Sequence, residues 1–146
     1  MKNAELSYDV DISKVGCGCN TNAYFQAMPT YTSDGVLDKG DGDWYCDAND
    51  AKHLCPEMDT FEANKYTFAT TAHTCDDPAD PLKPHYTKCD GGGCQTNAYN
   101  VDKTAFGPGM KIDTNKTFRI SHSMGVNSSG DVDDMNQYLM QDGKNW

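Results

Sequence analysis

The sequence predicts an all-β protein, most simply a sandwich, and three observations predict it. First, "ELSYDVDIS" alternates: Leu6, Tyr8, Val10 and Ile12 fall on one face, Glu5, Ser7, Asp9 and Asp11 on the other. Period two over eight residues is the mark of a half-buried strand. Second, no stretch carries a sustained 3.6-residue apolar stripe, so no amphipathic helix is expected. Third, the strand-like runs are short and separated by stretches rich in Gly, Pro, Asp and Cys, the spacing of an all-β domain.

Taken in order, "TNAYFQAMP" continues as a second strand of mixed character. Residues 30–50 read as a Gly/Asp-rich loop around Trp44 and Tyr45, and "EMDTFEAN" as a third strand. The stretch from His73 to Tyr99 holds three prolines, three consecutive glycines and three cysteines, which predicts loop. "KTFRISHSM" is a strand with Phe118 and Ile120 on one face and Arg119 on the other. The closing "NQYLMQDGKNW" predicts a hairpin, with Asp142-Gly143 supplying the positive φ of a tight turn. No repeat, low-complexity tract or linker interrupts residues 1–146, which read as one domain.

A chain of 146 residues can bury about 68–70% of its unfolded surface. Its net charge of −10 argues against nucleic acid or an anionic membrane, since polyanion binding draws on Lys and Arg; a neutral polymer or small ligand fits better. No apolar run approaches the ~20 residues of a membrane span. Seven cysteines point to an oxidising compartment and disulfide-stapled loops. The sequons at Asn115 and Asn127 agree with secretion. The N-terminus lacks a signal pattern, so a mature segment of a secreted protein is expected.

Chemistry concentrates in "CPEMDTFEAN", where Glu57, Asp59 and Glu62 occupy six positions. The chain has 19 Asp but only 3 Glu, and two of those three sit here. Two carboxyls about 5–5.5 Å apart are what a retaining glycosidase needs, one as nucleophile and one as acid/base. On a regular strand Glu57 and Asp59 share a face and Glu62 points away; a β-bulge between Asp59 and Glu62 would return it to that face. An exposed acidic strand suits the pattern as well. Asp38, Asp41, Asp43 and Asp47 cluster nearby but miss the calcium-loop spacing. No metal is expected at the site.

The motif "CPEMDTFEAN" resembles the C-S-E-M-D-I-W-E-A-N signature of glycoside hydrolase family 7, the cellulases. "LSYDVDISKVGCGCNTNAYFQAMP", "CDGGGCQTNAYN" followed by "FGPG", and "NQYLMQDGKNW" are similar to further family segments in the same order. Those matches span nearly all of residues 5–146. The resemblance implies a jelly-roll β-sandwich of the concanavalin type, incomplete here, that cleaves β-1,4-glucan with retention and without a cofactor. It implies Glu57 as nucleophile, Asp59 as its supporting carboxylate and Glu62 as acid/base. It places His73, Asn20, Tyr24 and Phe61 at the substrate, Phe61 standing where the family has Trp.

The same resemblance implies bridges Cys46–Cys55 and Cys75–Cys89. Cys17 and Cys94 match cysteines whose family partners lie beyond this chain, and Cys19 has no counterpart; one bridge among these three is allowed. Family members are roughly three times longer, so the chain reads as a reduced, central segment whose sheet edges a missing segment or second chain would cover. Shortened loops suggest an open cleft and an endo-acting enzyme. The rival expectation is a glucan-binding or assembly module without catalysis, using Tyr24, Trp44, Tyr45 and Phe61 as stacking platforms.

Overall fold

The computed structural model describes residues 4–130 and 132–146. Strands dominate: β1 (Ala4–Val10), β2 (Thr21–Gln26), β3 (Glu57–Asn64), β4 (Thr67–His73), β5 (Cys94–Asn97), β6 (Phe106–Gly107), β7 (Ile112–Asp113), β8 (Phe118–Val126), β9 (Val132–Gln141) and β10 (Lys144–Asn145). One four-residue helix, α1 (Ala98–Val101), follows β5. The all-β class read from the sequence is the class observed. Among the described residues no helix is long and apolar enough to cross a membrane.

The residues gather into two compact units. The first comprises, of the described residues, 4–21, 63–68, 97–130 and 132–146, and its sheet runs β1-β8-β9-β10. Antiparallel register sets Tyr8 opposite Ile120 and Val10 opposite Phe118. The alternation of 5–13 therefore meets that of 118–120 on one face. Phe118, Ile120 and Leu139 are buried there, and Phe106 meets Phe118 edge-on at 5.6 Å. Arg119, on the opposite face, donates to both carboxylate oxygens of Asp9 at 2.8 and 2.9 Å. Asp142 and Gly143 take φ values of 52° and 74° in the turn from β9 to β10, as the sequence predicts.

The second unit comprises 22–62 and 69–96, and the sheet β2-β3-β4-β5 supplies its strands. β3 is buried along most of its length, and hydroxyls lock it to its neighbours. Thr60 Oγ1 donates to the Ala23 carbonyl at 2.7 Å, and Thr70 Oγ1 to the Asp59 carbonyl at 2.8 Å. The stretch 30–50 is irregular, as expected. Aspartates organise the loops of both units: Asp11, Asp43, Asp50 and Asp80 each accept the backbone N–H two residues on, the Asx-turn preference of that side chain.

Two elements depart from expectation. β4 carries only Phe68 as a large apolar side chain, and its Thr/Ala-rich sequence hides a central strand. β5 and the start of α1 lie inside the stretch expected to be loop. Gly and Cys there are compatible with a short edge strand that sequence pattern does not reveal.

Candidate active site

The three carboxylates of β3 lie in the second unit, and each is held differently. Pro56 ends the loop before them, its carbonyl accepting the Ala27 N–H at 3.0 Å. Glu57 accepts the Ala48 N–H on Oε2 at 3.2 Å and Gln26 Nε2 on Oε1 at 3.3 Å. Ala48 is aimed by a tight turn in which Asp47 Oδ1 accepts the N–H groups of Asn49 and Asp50. The Cys46–Cys55 disulfide closes this loop across nine positions, and Tyr45 donates to Asp47 Oδ2 at 2.8 Å. Glu62 is only half-buried and accepts the Tyr24 hydroxyl on Oε1 at 2.8 Å.

Asp59 and His73 form a buried pair, 6% and 7% exposed. His73 Nδ1 lies 2.8 Å from the Asp90 carbonyl oxygen, which can only accept, so Nδ1 carries a hydrogen. Nε2 then faces Asp59 Oδ2 at 3.1 Å, and one proton lies between them, since two lone pairs would repel. No N–H or hydroxyl donor reaches the buried Asp59 Oδ1, and the Asp59 carboxyl also bonds that of Glu57. Gly93, at φ 61°, lets this arrangement close. A Cβ on it would fall 2.7 Å from His73 Nδ1 and Cε1 and 2.6 Å from Thr71 Cγ2.

Burial and mutual repulsion govern the charges. Burial raises the Glu57 pKa, the Ala48 N–H opposes that rise, and the Asp59 charge adds to it. Burial also raises Asp59; the His73 hydrogen bond opposes it and the Glu62 charge reinforces it. Burial alone would depress His73, but its bonds to Asp90 and Asp59 and the neighbouring carboxylates leave it raised. Tyr24 is pushed up by burial and by its bond to Glu62, and the charges of Asp59 and Glu57 also act on it. One hydroxyl thus feels all three acids.

Glu57, Asp59, Glu62, Tyr24 and His73 are brought together in this unit. Phe61 is a correction: at 2% exposure its ring packs into the core and presents no face to a sugar. Asn20 is exposed and falls in the first unit. Cys46–Cys55 and Cys75–Cys89 are bridged, the pairs that the resemblance implies. Cys17, Cys19 and Cys94 are all exposed free thiols, so the bridge allowed among them is not formed. Gln26, Ala48, Asp90 and Gly93 were not singled out from the sequence, and Asp47 figured there only among the aspartates that miss the calcium-loop spacing. Asp90 and Gly93 stand in the run "CDGGGC", where consecutive glycines signal a close approach; the amide of Ala48 has no sequence signature.

Fold and site together define an all-β protein with a buried acid cluster on one strand. A sequence profile of Glycosyl hydrolase family 7 matches residues 48–146, and the chain belongs to that family. Its fold is similar to that of the endocellulase EGI of Humicola insolens (24% identity, TM-score 0.76) across 99% of this chain and 43% of that one. A family 7 cellobiohydrolase of Daphnia pulex matches at 26% identity and TM-score 0.73, over 99% of this chain and 45% of that one. A cellobiohydrolase of Melanocarpus albomyces, complexed with cellotetraose, matches at 26% and 0.68, over 97% and 42%. These β-sandwich neighbours bear out the fold class, and the chain spans less than half the length of each.

Proposed function

We propose that the chain carries the catalytic centre of a secreted, retaining β-1,4-glucanase, with residues 1–146 forming one reduced family 7 domain. The observation that carries this reading is the division of donors within β3. Glu57 receives two N–H groups and is suited to be an anionic nucleophile, because donors oppose the effect of burial. Glu62 meets a single hydroxyl and is half-exposed, free to exchange a proton with a leaving oxygen or water. Asp59 bonds His73, which opposes the effect of burial on its charge, and stands beside Glu57 as its supporting carboxylate.

In the first step Glu62 protonates the glycosidic oxygen as Glu57 Oε attacks the anomeric carbon, and the leaving chain departs with that proton. In the second, ionised Glu62 takes a proton from water, which displaces Glu57 and restores both acids. No cofactor enters either step. Trp44, 37% exposed, lines an open apolar depression of about 410 Å³ with Met28, Pro29 and Leu37, and presents an aromatic face to a sugar ring three positions before Asp47. The neighbours named for cellulase action support β-1,4-glucan as substrate. Family cysteine chemistry supports the extracellular setting.

A second reading, a glucan-binding module without turnover, is favoured by the span of less than half the neighbours' length. Reducing-sugar release from a soluble β-1,4-glucan separates the two. Release by the chain and none by Glu57→Gln is expected; no release from either, with glucan binding retained, would leave the module as the better account.

A further inference from the structure

We infer that Glu57, Asp59 and His73 form a site for a borderline divalent cation of the Zn²⁺ kind, and that its occupancy shuts down the acid cluster. One ligand atom from each of the three residues lies within 4.8 Å of the others, and all three residues are buried. Small side-chain rotations would bring them to the ~2.0–2.2 Å shell of zinc.

Three features separate this cluster from an ordinary acidic patch. His73 donates Nδ1–H to the Asp90 carbonyl, which fixes the tautomer and points the Nε2 lone pair toward Asp59. A metal-binding histidine is held in the same way, with its other ring N–H on a carbonyl or carboxylate. Asp59 Oδ1 is buried and no N–H or hydroxyl donor reaches it, and the Asp59 carboxyl has the Glu57 carboxyl beside it, so a cation would satisfy acceptors of both acids at once. The Gly93 backbone passes close to the Nδ1–Cε1 edge of the imidazole, where a Cβ would clash, so the ring packs against it on that side. The position between His73 Nε2 and Asp59 Oδ2, which a proton holds, is the one a cation would take.

The donor set selects the ion. Two carboxylates and one imidazole suit Zn²⁺ and its first-row neighbours, whereas Ca²⁺ and Mg²⁺ prefer six or more oxygens. A net charge of −10 raises the local cation concentration. Inhibition rests on the catalytic reading given above, because a cation on Glu57 removes the nucleophile; binding itself does not depend on that reading.

The test is calorimetric titration of ZnCl₂ into the chelator-treated chain, with the exposed thiols of Cys17, Cys19 and Cys94 first alkylated to remove competing ligands. One ion per chain is expected. His73→Gln and Asp59→Asn should each weaken it at least tenfold, while His53→Gln, which removes the separate His53–Asp38 pair, should not. Ca²⁺ should give no heat at the same concentrations. Should either variant fail to fold, Co²⁺ added to the unmutated, alkylated chain must still give visible d–d bands at one equivalent. Loss of glucan hydrolysis should track occupancy and reverse with chelator. No binding at one equivalent, or binding indifferent to both substitutions, overturns the site. Binding that follows the substitutions in a chain inert toward glucan upholds the site and rejects only the glucanase reading.

Discussion

Two glutamates of one strand are held by different kinds of donor, and the proposed mechanism gives them different work. In that mechanism Glu62 delivers a proton to a poor leaving group, so Glu62→Gln should cost about 10²–10⁴-fold on unactivated glucan. It should cost far less in the first step on an aryl glycoside, whose leaving group needs no proton, while Glu57→Gln abolishes both. Burst and steady-state rates on the two substrates check this, and equal losses on the activated one would reject the roles. Asp59 gives a pH test. Its pKa is raised above 3.8 in the fold, so the native state holds this proton more tightly than the unfolded chain. The resulting stability is full below the unfolded value and is lost as pH rises through the native one. Asp59→Asn stays neutral and lacks that loss. The stability of the natural chain relative to the variant should therefore fall as pH rises above 3.8, read from thermal melts at increasing pH. Parallel curves would mean that burial does not hold this proton.

At the scale of the element, β2 and β3 were legible and β4 and β5 were not. The spacing of Glu57, Asp59 and Glu62 is written in side chains, whereas β4 is a central strand built of Thr and Ala, with too little apolar contrast to betray its period. The support for the acids comes largely from backbone groups: the Ala48 amide, the Asp90 carbonyl and the bare Cα of Gly93. Of these only the glycine run at 91–93 carries a sequence signal, and Phe61 misled because its type suits both a core and a sugar platform. Gly93→Ala should displace His73, destabilising the chain by about 1–3 kcal/mol through overpacking and positive φ and lowering kcat. Denaturant unfolding and kinetics read the two effects, and an unchanged kcat would show that the imidazole tolerates the shift. Trp44 has a φ of 68°, strained for a bulky residue by roughly 1–2 kcal/mol. Trp44→Gly should relieve that strain and remove the aromatic face, raising KM for long glucan chains with little change in kcat. A raised melting temperature without weaker glucan binding would detach the strain from function.

For the whole molecule, the neighbours supply more than twice as much chain as is present here. Among the described residues, Val132, Met135 and Tyr138 of β9 are exposed, the apolar surface that additional chain or a partner would cover in the proposed reading. The abundance of acid has a different origin from the catalytic cluster. Asp11, Asp43, Asp50 and Asp80 serve their loops through one carbonyl-like oxygen apiece, and asparagine offers that oxygen at the same reach. Their charge is therefore incidental to their work. Replacing all four by Asn should take the net charge from −10 to −6 while leaving the melting temperature nearly unchanged, as ion-exchange retention and calorimetry would show together. The chain's acidity is in this sense a dial that can be turned for solubility, surface adsorption or crystal growth, independently of the three acids of β3.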